Sequence, residues 1–370
     1  MKSKVTSFIM TVITILIFVI LIILGIIIYN DINKTDIVDE VQSFVSNIII
    51  GESKEGEIQS PEVSENLLSS SKVTDQVKET SNNVARKFFY NQLDNYSKIL
   101  YDALEKNKEN MKTGTYEINF GTVFSDILNK SNGQELLGDY YQSAIEAYTY
   151  DNPDTFYIDF SKVRLNIETT KRLNKVTYRV YMNQGESDSY LADEFPTQQH
   201  VEKALIEIEK VKRYFVQNKK ADTYTNIKLI HDYLVESIEY DTSVSKDNIY
   251  NIYGALVNKE CVCEGYSEAF KVLMDALDIP SVIVIGKATN SKGQTENHAW
   301  NYVQINGMWY AIDCTWDDPI LIGGGMLTNS LKYKYFLKGE NEFNNYHQPE
   351  GQFTQEGKIF SYPKLSEDNY

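Results

Sequence analysis

Hydrophobic and polar positions are distributed very unevenly along the chain. From Phe8 to Tyr29 the run FIMTVITILIFVILIILGIIIY carries no charge and is interrupted only by two Thr and one Gly. As a helix it would span about 33 Å, enough to cross the roughly 30 Å hydrocarbon core of a bilayer. It is longer than the apolar region of a cleaved signal peptide, about 7–15 residues. Residues 31–85 are poor in aromatics and rich in Ser, Glu, Lys, Val and Asn, with one apolar patch at Val45–Ile50. Such a composition cannot bury enough surface to order itself. From Lys87 the pattern changes, and Phe88, Phe89, Tyr90, Leu93, Tyr96, Leu100 and Leu104 predict a helix. A second helix is expected over Leu136–Tyr148, stopped by Asn152-Pro153. Strands are expected at Phe156–Phe160 and at Val176–Met182, the latter alternating with period two.

Helical stripes resume with Val201, Leu205, Ile208, Val211 and Phe215, and again with Ile227, Ile230, Leu234 and Ile238. A further helix should begin near Cys263, turn Ala269, Phe270, Leu273, Met274 and Leu277 inward, and stop at Pro280. The run Ser281–Gly286 reads as a short buried strand. Helices followed by strands in this order predict an α+β fold. Four segments follow: a cytoplasmic tip and anchor at 1–30, a polar stalk at 31–85, an α+β region at 86–199 and a second α+β domain at 200–370.

The strongest local signal is Asn306-Gly307 between two β-rich runs in HAWNYVQINGMWYAIDCT, residues 298–315. A two-residue Asn-Gly loop specifies a type I′ hairpin, so Ile305 should pair with Met308. On that register His298 lies opposite Thr315 and Trp300 opposite Asp313. Alternation then puts His298, Trp300, Tyr302, Gln304, Trp309, Ala311, Asp313 and Thr315 on one face. The other face carries Ala299, Asn301, Val303, Ile305, Met308, Tyr310, Ile312 and Cys314, is almost wholly apolar and is expected to be the core side. His298 and Asp313 become diagonal neighbours, about 7–8 Å apart at Cα and within side-chain reach.

Charge changes the picture next. The chain has 36 Lys+Arg against 52 Asp+Glu, a formal charge of −16, which argues against a nucleic-acid partner because phosphate neutralisation needs a basic face. Lys2 and Lys4 precede the apolar run, while Asp31, Asp36, Asp39 and Glu40 outweigh Lys34 after it. The positive-inside bias predicts a single span through residues 8–29 in the lipid bilayer, the N-terminus cytoplasmic and the rest extracytoplasmic. Three Cys exclude a dense disulfide framework.

A neutral thiol is a poor nucleophile at pH 7, whereas a helix N-terminus and an imidazolium partner favour the thiolate, and a carboxylate behind the His fixes its tautomer. Cys263, His298 and Asp313 offer these three features, although Glu264 and Glu268 would oppose a thiolate unless they point away. The runs Cys263-Glu-Gly-Tyr-Ser-Glu-Ala-Phe270, His298-Ala-Trp-Asn-Tyr302 and Met308-Trp-Tyr-Ala-Ile-Asp-Cys-Thr-Trp-Asp-Asp-Pro319 resemble the bacterial transglutaminase-like family of papain-like cysteine enzymes. The helix Ile227–Val235, ending at Tyr240-Asp241, and Tyr253-Gly-Ala-Leu-Val257 add to that resemblance, which covers roughly residues 200–365.

The resemblance implies a nucleophile Cys263, a general base and acid His298 and an orienting Asp313. Protein or peptide amides would be cleaved or transferred through a thioester, with hydrolysis favoured over cross-linking. The alternative is a silent binding module using residues 86–199 as its interface. No cofactor is implied. The Cys263 backbone N–H is the expected oxyanion donor, with Tyr250, Asn251 or Tyr253 as candidates for the second. Trp300 and Tyr302 are expected to line the substrate groove.

A zinc set of Cys261, Cys263, His298 and Cys314 has suitable ligand types, but Cys-x-Cys is not the usual spacing and the register turns Cys314 away from His298. No metal is therefore expected. A Cys261–Cys314 disulfide is an unfavoured option. His231, beside Asp232, reads as a packing or solvent residue. His200 and His347 have no partner motif and receive no role, and Asp317-Asp318-Pro319 reads as a turn.

Overall fold

The computed structural model describes residues 86–173, 175–318, 329–350 and 360–370. The apolar span at 8–29, the polar stretch at 31–85 and Pro319 lie outside the described residues. Among the described residues no helix is long and apolar enough to cross a membrane.

The first folded region begins with a 3₁₀ turn, Tyr90–Gln92, where the spacing predicts helix. The Asp151 carboxylate accepts the N–H groups of Phe89 and Tyr90 at 3.1 and 2.9 Å and holds the turn. Helix α1 (Asn95–Met111) starts only at Asp94, whose side chain accepts from the Tyr96 and Ser97 N–H groups. Helix α2 (Gly133–Asp151) runs up to Asn152-Pro153. Strands β1 (Ile118–Gly121), β2 (Arg164–Arg172) and β3 (Lys175–Asn183) form an antiparallel sheet in the order β1-β3-β2. The expected strand at Phe156–Phe160 does not form. That segment lies between two 3₁₀ turns, Pro153–Thr155 and Phe160–Lys162, because Pro153 opens the first and the Asp159 side chain caps the second. Only an isolated bridge from Ile158 to Leu191 remains of it.

Helix α3 (Gln198–Gln217) is shared between two cores. Val201 and Ala204 pack into the first, with Leu100, Leu104, Leu137 and Val180, while Ile208 and Phe215 pack into the second, with Ile230, Phe270 and Val303. Helix α4 (Thr223–Ser237) is capped by Asp222. Strands β4 (Glu239–Tyr240) and β5 (Glu260–Cys261) pair in parallel, placing Tyr240 beside Cys261. Helix α5 (Cys263–Ala276) follows at once.

Four antiparallel strands complete the fold: β6 (Ser281–Thr289), β7 (Thr295–Ile305), β8 (Met308–Ile312) and β9 (His347–Pro349), in the order β8-β7-β6-β9. The β7–β8 register is the expected one, from Ile305↔Met308 to Asn301↔Ile312. Asn306 and Gly307 take φ of 52° and 81°, the two positive values a type I′ turn requires. The ladder stops at Ile312, so Asp313 leaves the strand and its N–H donates to the Tyr335 carbonyl at 3.3 Å.

Both faces of this sheet are buried, contrary to the one-sided expectation. Val303, Ile305, Tyr310 and Ile312 pack against α5. Val282, Val284, Trp300, Tyr302 and Ala311 pack under Tyr335, Phe343 and Leu365 from the C-terminal segment. An antiparallel sheet often keeps one face in water; here the chain after Asn329 folds back to cover it.

Candidate active site

Cys263 occupies the first position of α5 and is half-buried, with its thiol free. The residue before it, Val262, supplies no side-chain cap, so the first-turn N–H groups are left to other acceptors. His298 and Asp313 share the sheet face opposite α5 and meet through Nε2 and Oδ2 at 2.8 Å. Cys263 lies close enough to the His298 side chain to raise its pKa. Asp313 is fully buried and its second oxygen, Oδ1, accepts the Trp316 N–H at 3.0 Å.

A third group, to which the sequence assigns no role, completes this cluster. His347, on β9, brings its Nε2 to the same Asp313 oxygen at 2.9 Å. Ala288 pairs with both Glu296 and His347 across β7, β6 and β9, so His347 shares the face of His298. No local signal reveals this. His347 lies on a three-residue strand whose partner is β6, far away in the chain.

Charge follows from the geometry. Burial pushes the His298 imidazole down, but the Asp313 charge and hydrogen bond, followed by Cys263, outweigh it and raise the group to about 10. Asp313 shows the reverse balance, since burial pushes it up while His298 and His347 hold it well below the carboxylate range. Burial, ahead of the opposing pull of Asp313, holds His347 below its ordinary value, and the His298 charge adds to that. These balances favour an imidazolium on His298, a carboxylate on Asp313 and a neutral His347 at neutral pH.

The two glutamates beside the thiol do not oppose it as feared. Burial pushes Glu264 up to about 7, and burial with the Glu264 charge raises Glu268 further. Around neutrality the pair therefore does not carry two full charges.

Other expected site residues fall elsewhere. Trp300 and Tyr302 are 1% and 2% exposed and form the core beneath the His298 ring, so they line no groove. The Asn251 side-chain oxygen accepts the Tyr253 and Gly254 N–H groups, and its amide donates to Asn248, so it builds a turn and is not free for substrate. The Tyr253 hydroxyl donates to Glu207 at 2.7 Å while its ring stacks on Phe156 and meets Phe195, a structural joint between the two cores. Tyr250 is exposed. Upstream of the thiol, the phenol that senses Cys263 is Tyr240. Its burial, with the Cys263 and Glu296 charges, pushes it up to about 12.

The described turn runs from Cys314 to Asp317, with Pro319 of the expected turn outside the described residues, and the Asp317 and Asp318 carboxylates each hold a partner. Asp317 meets the buried His231, and Asp318 accepts from the Tyr266 hydroxyl of α5 at 2.6 Å. His231 is thus neither a solvent residue nor simple packing. A cavity of about 450 Å³, lined by Tyr101, Glu105, Lys108, Asp151, Val272 and Asp275 among others, lies at the junction of the two cores, and none of Cys263, His298 and Asp313 borders it.

By donor type, His298, Asp313 and His347 could hold a metal, with one ligand atom of each within 4.8 Å of the others. Both imidazoles already contact the Asp313 oxygen directly at hydrogen-bond distance, so the arrangement is that of a hydrogen-bonded chain. Cys261 and Cys314 are both buried in the α5-side core, and no disulfide joins them.

Comparison with known proteins places these elements. The Transglutaminase-like superfamily matches residues 209–314. The kyphoscoliosis peptidase of Mus musculus is 24% identical over 127 residues, 32% of this chain and 18% of that protein. The chain therefore spans less than a fifth of that curated relative's length. Among solved structures, a TGase shares 15% identity at a TM-score of 0.28, covering 48% of this chain and 50% of the other. A candidate cysteine protease from Cytophaga hutchinsonii shares 16% at a TM-score of 0.26, covering 41% and 63%. The matched residues 209–314 contain Cys263, His298 and Asp313.

Proposed function

We propose that the chain is a membrane-anchored, extracytoplasmic cysteine enzyme that acts on protein or peptide amides through a thioester on Cys263, with water favoured over an amine as acyl acceptor. The observation that carries this reading is the buried His298–Asp313 pair at 2.8 Å, with Cys263 close enough to raise the pKa of the same imidazole. The apolar run Phe8–Tyr29 behind Lys2 and Lys4 supports the anchor and its orientation.

An imidazolium beside a thiol favours the thiolate. The Cys263 sulfur attacks the amide carbonyl, and the developing oxyanion takes the Cys263 N–H at the uncapped helix start. The C–N bond breaks as His298 gives its proton to the leaving amine, which leaves a thioester and a neutral imidazole. Water then attacks, His298 takes its proton, and the carboxylic acid departs as the C–S bond breaks. Asp313 keeps the ring in one tautomer and faces its positive charge whenever the ring is protonated. An amine in place of water would give cross-linking by the same steps.

The test presents the purified full chain in detergent with a glutamine peptide and a labelled primary amine, and follows peptide hydrolysis and amine incorporation. Hydrolysis exceeding incorporation, with both lost in Cys263→Ala, is the expected result. If Cys263 reacts with iodoacetamide no faster than a simple thiol and neither product forms, the enzyme reading fails and a binding module remains.

A further inference from the structure

We infer that His347 is a positioning residue, a second imidazole that clamps the Asp313 carboxylate so that Oδ2 stays aimed at His298. The inference rests on the proposed function for its catalytic meaning, but the clamp itself stands on geometry.

Oδ2 of Asp313 accepts from Nε2 of both His298 and His347, at 2.8 and 2.9 Å, while Oδ1 accepts the Trp316 N–H at 3.0 Å. Without His347, Oδ2 keeps only His298 as a hydrogen-bond partner, and that bond turns with the carboxylate. A carboxylate held by one partner on each oxygen can rock about the line joining them. A third donor from another strand removes that freedom. Withdrawing His347 also removes one of the three hydrogen bonds that compensate the buried carboxylate.

His347 is itself built in tightly. It is fully buried, its backbone pairs with Ala288, and its ring stacks on Phe343 with centroids 3.9 Å apart and planes 14° apart. Trp316, Trp300 and Tyr335 close the remaining sides at 4.7, 5.1 and 5.4 Å. Its Nδ1 is buried without a hydrogen bond of good geometry, so the Nε2–H tautomer is the one that satisfies a partner. The ring supplies a neutral donor at a fixed place, which leaves the negative charge of Asp313 for His298.

The C-terminal segment thereby enters the site. β9 and Phe343 lie beyond residues 209–314, the part matched by the superfamily, yet they hold a group in direct contact with Asp313. The chain after β8 is more than a cover for the sheet.

Two variants of the full chain test this. His347→Phe keeps the stack on Phe343 and removes the donor, whereas His347→Gln can place its side-chain amide nitrogen near the Nε2 position. Two readouts are followed: the rate of Cys263 alkylation by iodoacetamide and the imidazole N–H resonances in ¹⁵N-histidine-labelled protein. In the parent, slowly exchanging Nε2–H signals are expected from both His298 and His347. His347→Phe should lose protection of the His298 signal and slow alkylation by on the order of tenfold, the cost of one misaligned hydrogen bond. His347→Gln should recover most of both. If His347→Phe, folded as judged by near-UV circular dichroism, keeps a protected His298 N–H and the parental alkylation rate, the inference is overturned. The outcomes separate from the broader proposal. A parent Cys263 no more reactive than a simple thiol defeats the enzyme reading, while the resonances still report whether His347 holds Asp313.

Discussion

His231 and Asp317 form a fully buried imidazole–carboxylate pair, Nε2 to Oδ2 at 3.1 Å. The Asp317 N–H donates to the Asp313 carbonyl at 3.1 Å, and Asp317 Oδ1 accepts the Tyr335 N–H at 2.8 Å. Helix α4 is thereby tied to the loop that presents Asp313. On the outer side His231 Nδ1 meets Asp232, whose carboxylate also takes Lys228, Lys332 and Tyr333. Burial pushes His231 down, but Asp232 and Asp317 outweigh it and raise the group.

Removing one member withdraws a buried partner that the remaining contacts, Asp232 for His231 and the Tyr335 N–H for Asp317, only partly replace. Asp317→Ala is expected to cost about 3–5 kcal/mol, and His231→Ala a similar amount. The double variant should cost less than the two together, with a coupling of roughly 1 kcal/mol or more. Urea unfolding of the four proteins measures this. Strict additivity would mean that the two side chains do not support each other.

Gly286 is the second point where packing reaches the site. An added Cβ there would lie 2.1 Å from the Gln348 carbonyl oxygen, 2.8 Å from the Pro349 Cα and 2.8 Å from the Trp300 ring. Two of these three atoms belong to β9 backbone, which cannot yield without moving His347. Gly286→Ala should therefore lower stability by about 1–3 kcal/mol and also slow Cys263 alkylation. A melting temperature within about a degree of the parent would show that β9 moves away without cost.

The parts of the site that could be read from the chain are those set by local rules. Asn306-Gly307 dictates both positive φ values and hence the register that brings His298 near Asp313. The apolar periodicity that ends at Pro280 places Cys263 at the head of α5. What could not be read depends on pairing between distant segments. His347 acquires its meaning only because β9 pairs with β6, and Trp300 and Tyr302 become core only because Tyr335, Phe343 and Leu365 cover them. The aromatic face therefore looked like a cleft wall. Asn251 and Tyr253 were near in sequence to the thiol, but the turn at Gly254 and the carboxylate of Glu207 occupy their polar atoms.

Glu268 offers a test of the acidic pair beside the thiol. Its pKa is raised by burial and then by Glu264, with one backbone hydrogen bond from Ile252 opposing. A carboxyl raised in the fold binds its proton more tightly than in the unfolded chain, where it titrates near ~4.3. Stability is then lost as pH climbs from that value through the folded one. Glu268→Gln cannot ionise and keeps an oxygen for the Ile252 N–H. Its melting temperature should exceed the parent's at pH 8–9, by about 2–4 °C for each kcal/mol recovered, and the advantage should vanish at pH 4–5. Calorimetry across that range checks it, and an advantage independent of pH would assign the effect to packing.

The His298–Asp313 pair carries the opposite signature. His298 titrates at about 10 in the fold against roughly 6.5 when unfolded. Its contribution is fully present below the unfolded value and is lost as pH rises from there toward 10. Asp313 is depressed by His298 and His347 against burial, so its contribution is present above about 3.9 and is lost as pH falls through the folded value. Both contributions overlap between about pH 4 and pH 6.5. Asp313→Asn, which removes a buried partner, should cost about 3–5 kcal/mol in that window, and the deficit relative to the parent should shrink steadily up to pH 10. Repeating the series in Cys263→Ala separates the share due to the thiol, which also raises His298. A deficit constant from pH 5 to pH 10 would mean that His298 is neutral in the fold, and the imidazolium required for the proposed acid step would have to be supplied in another way.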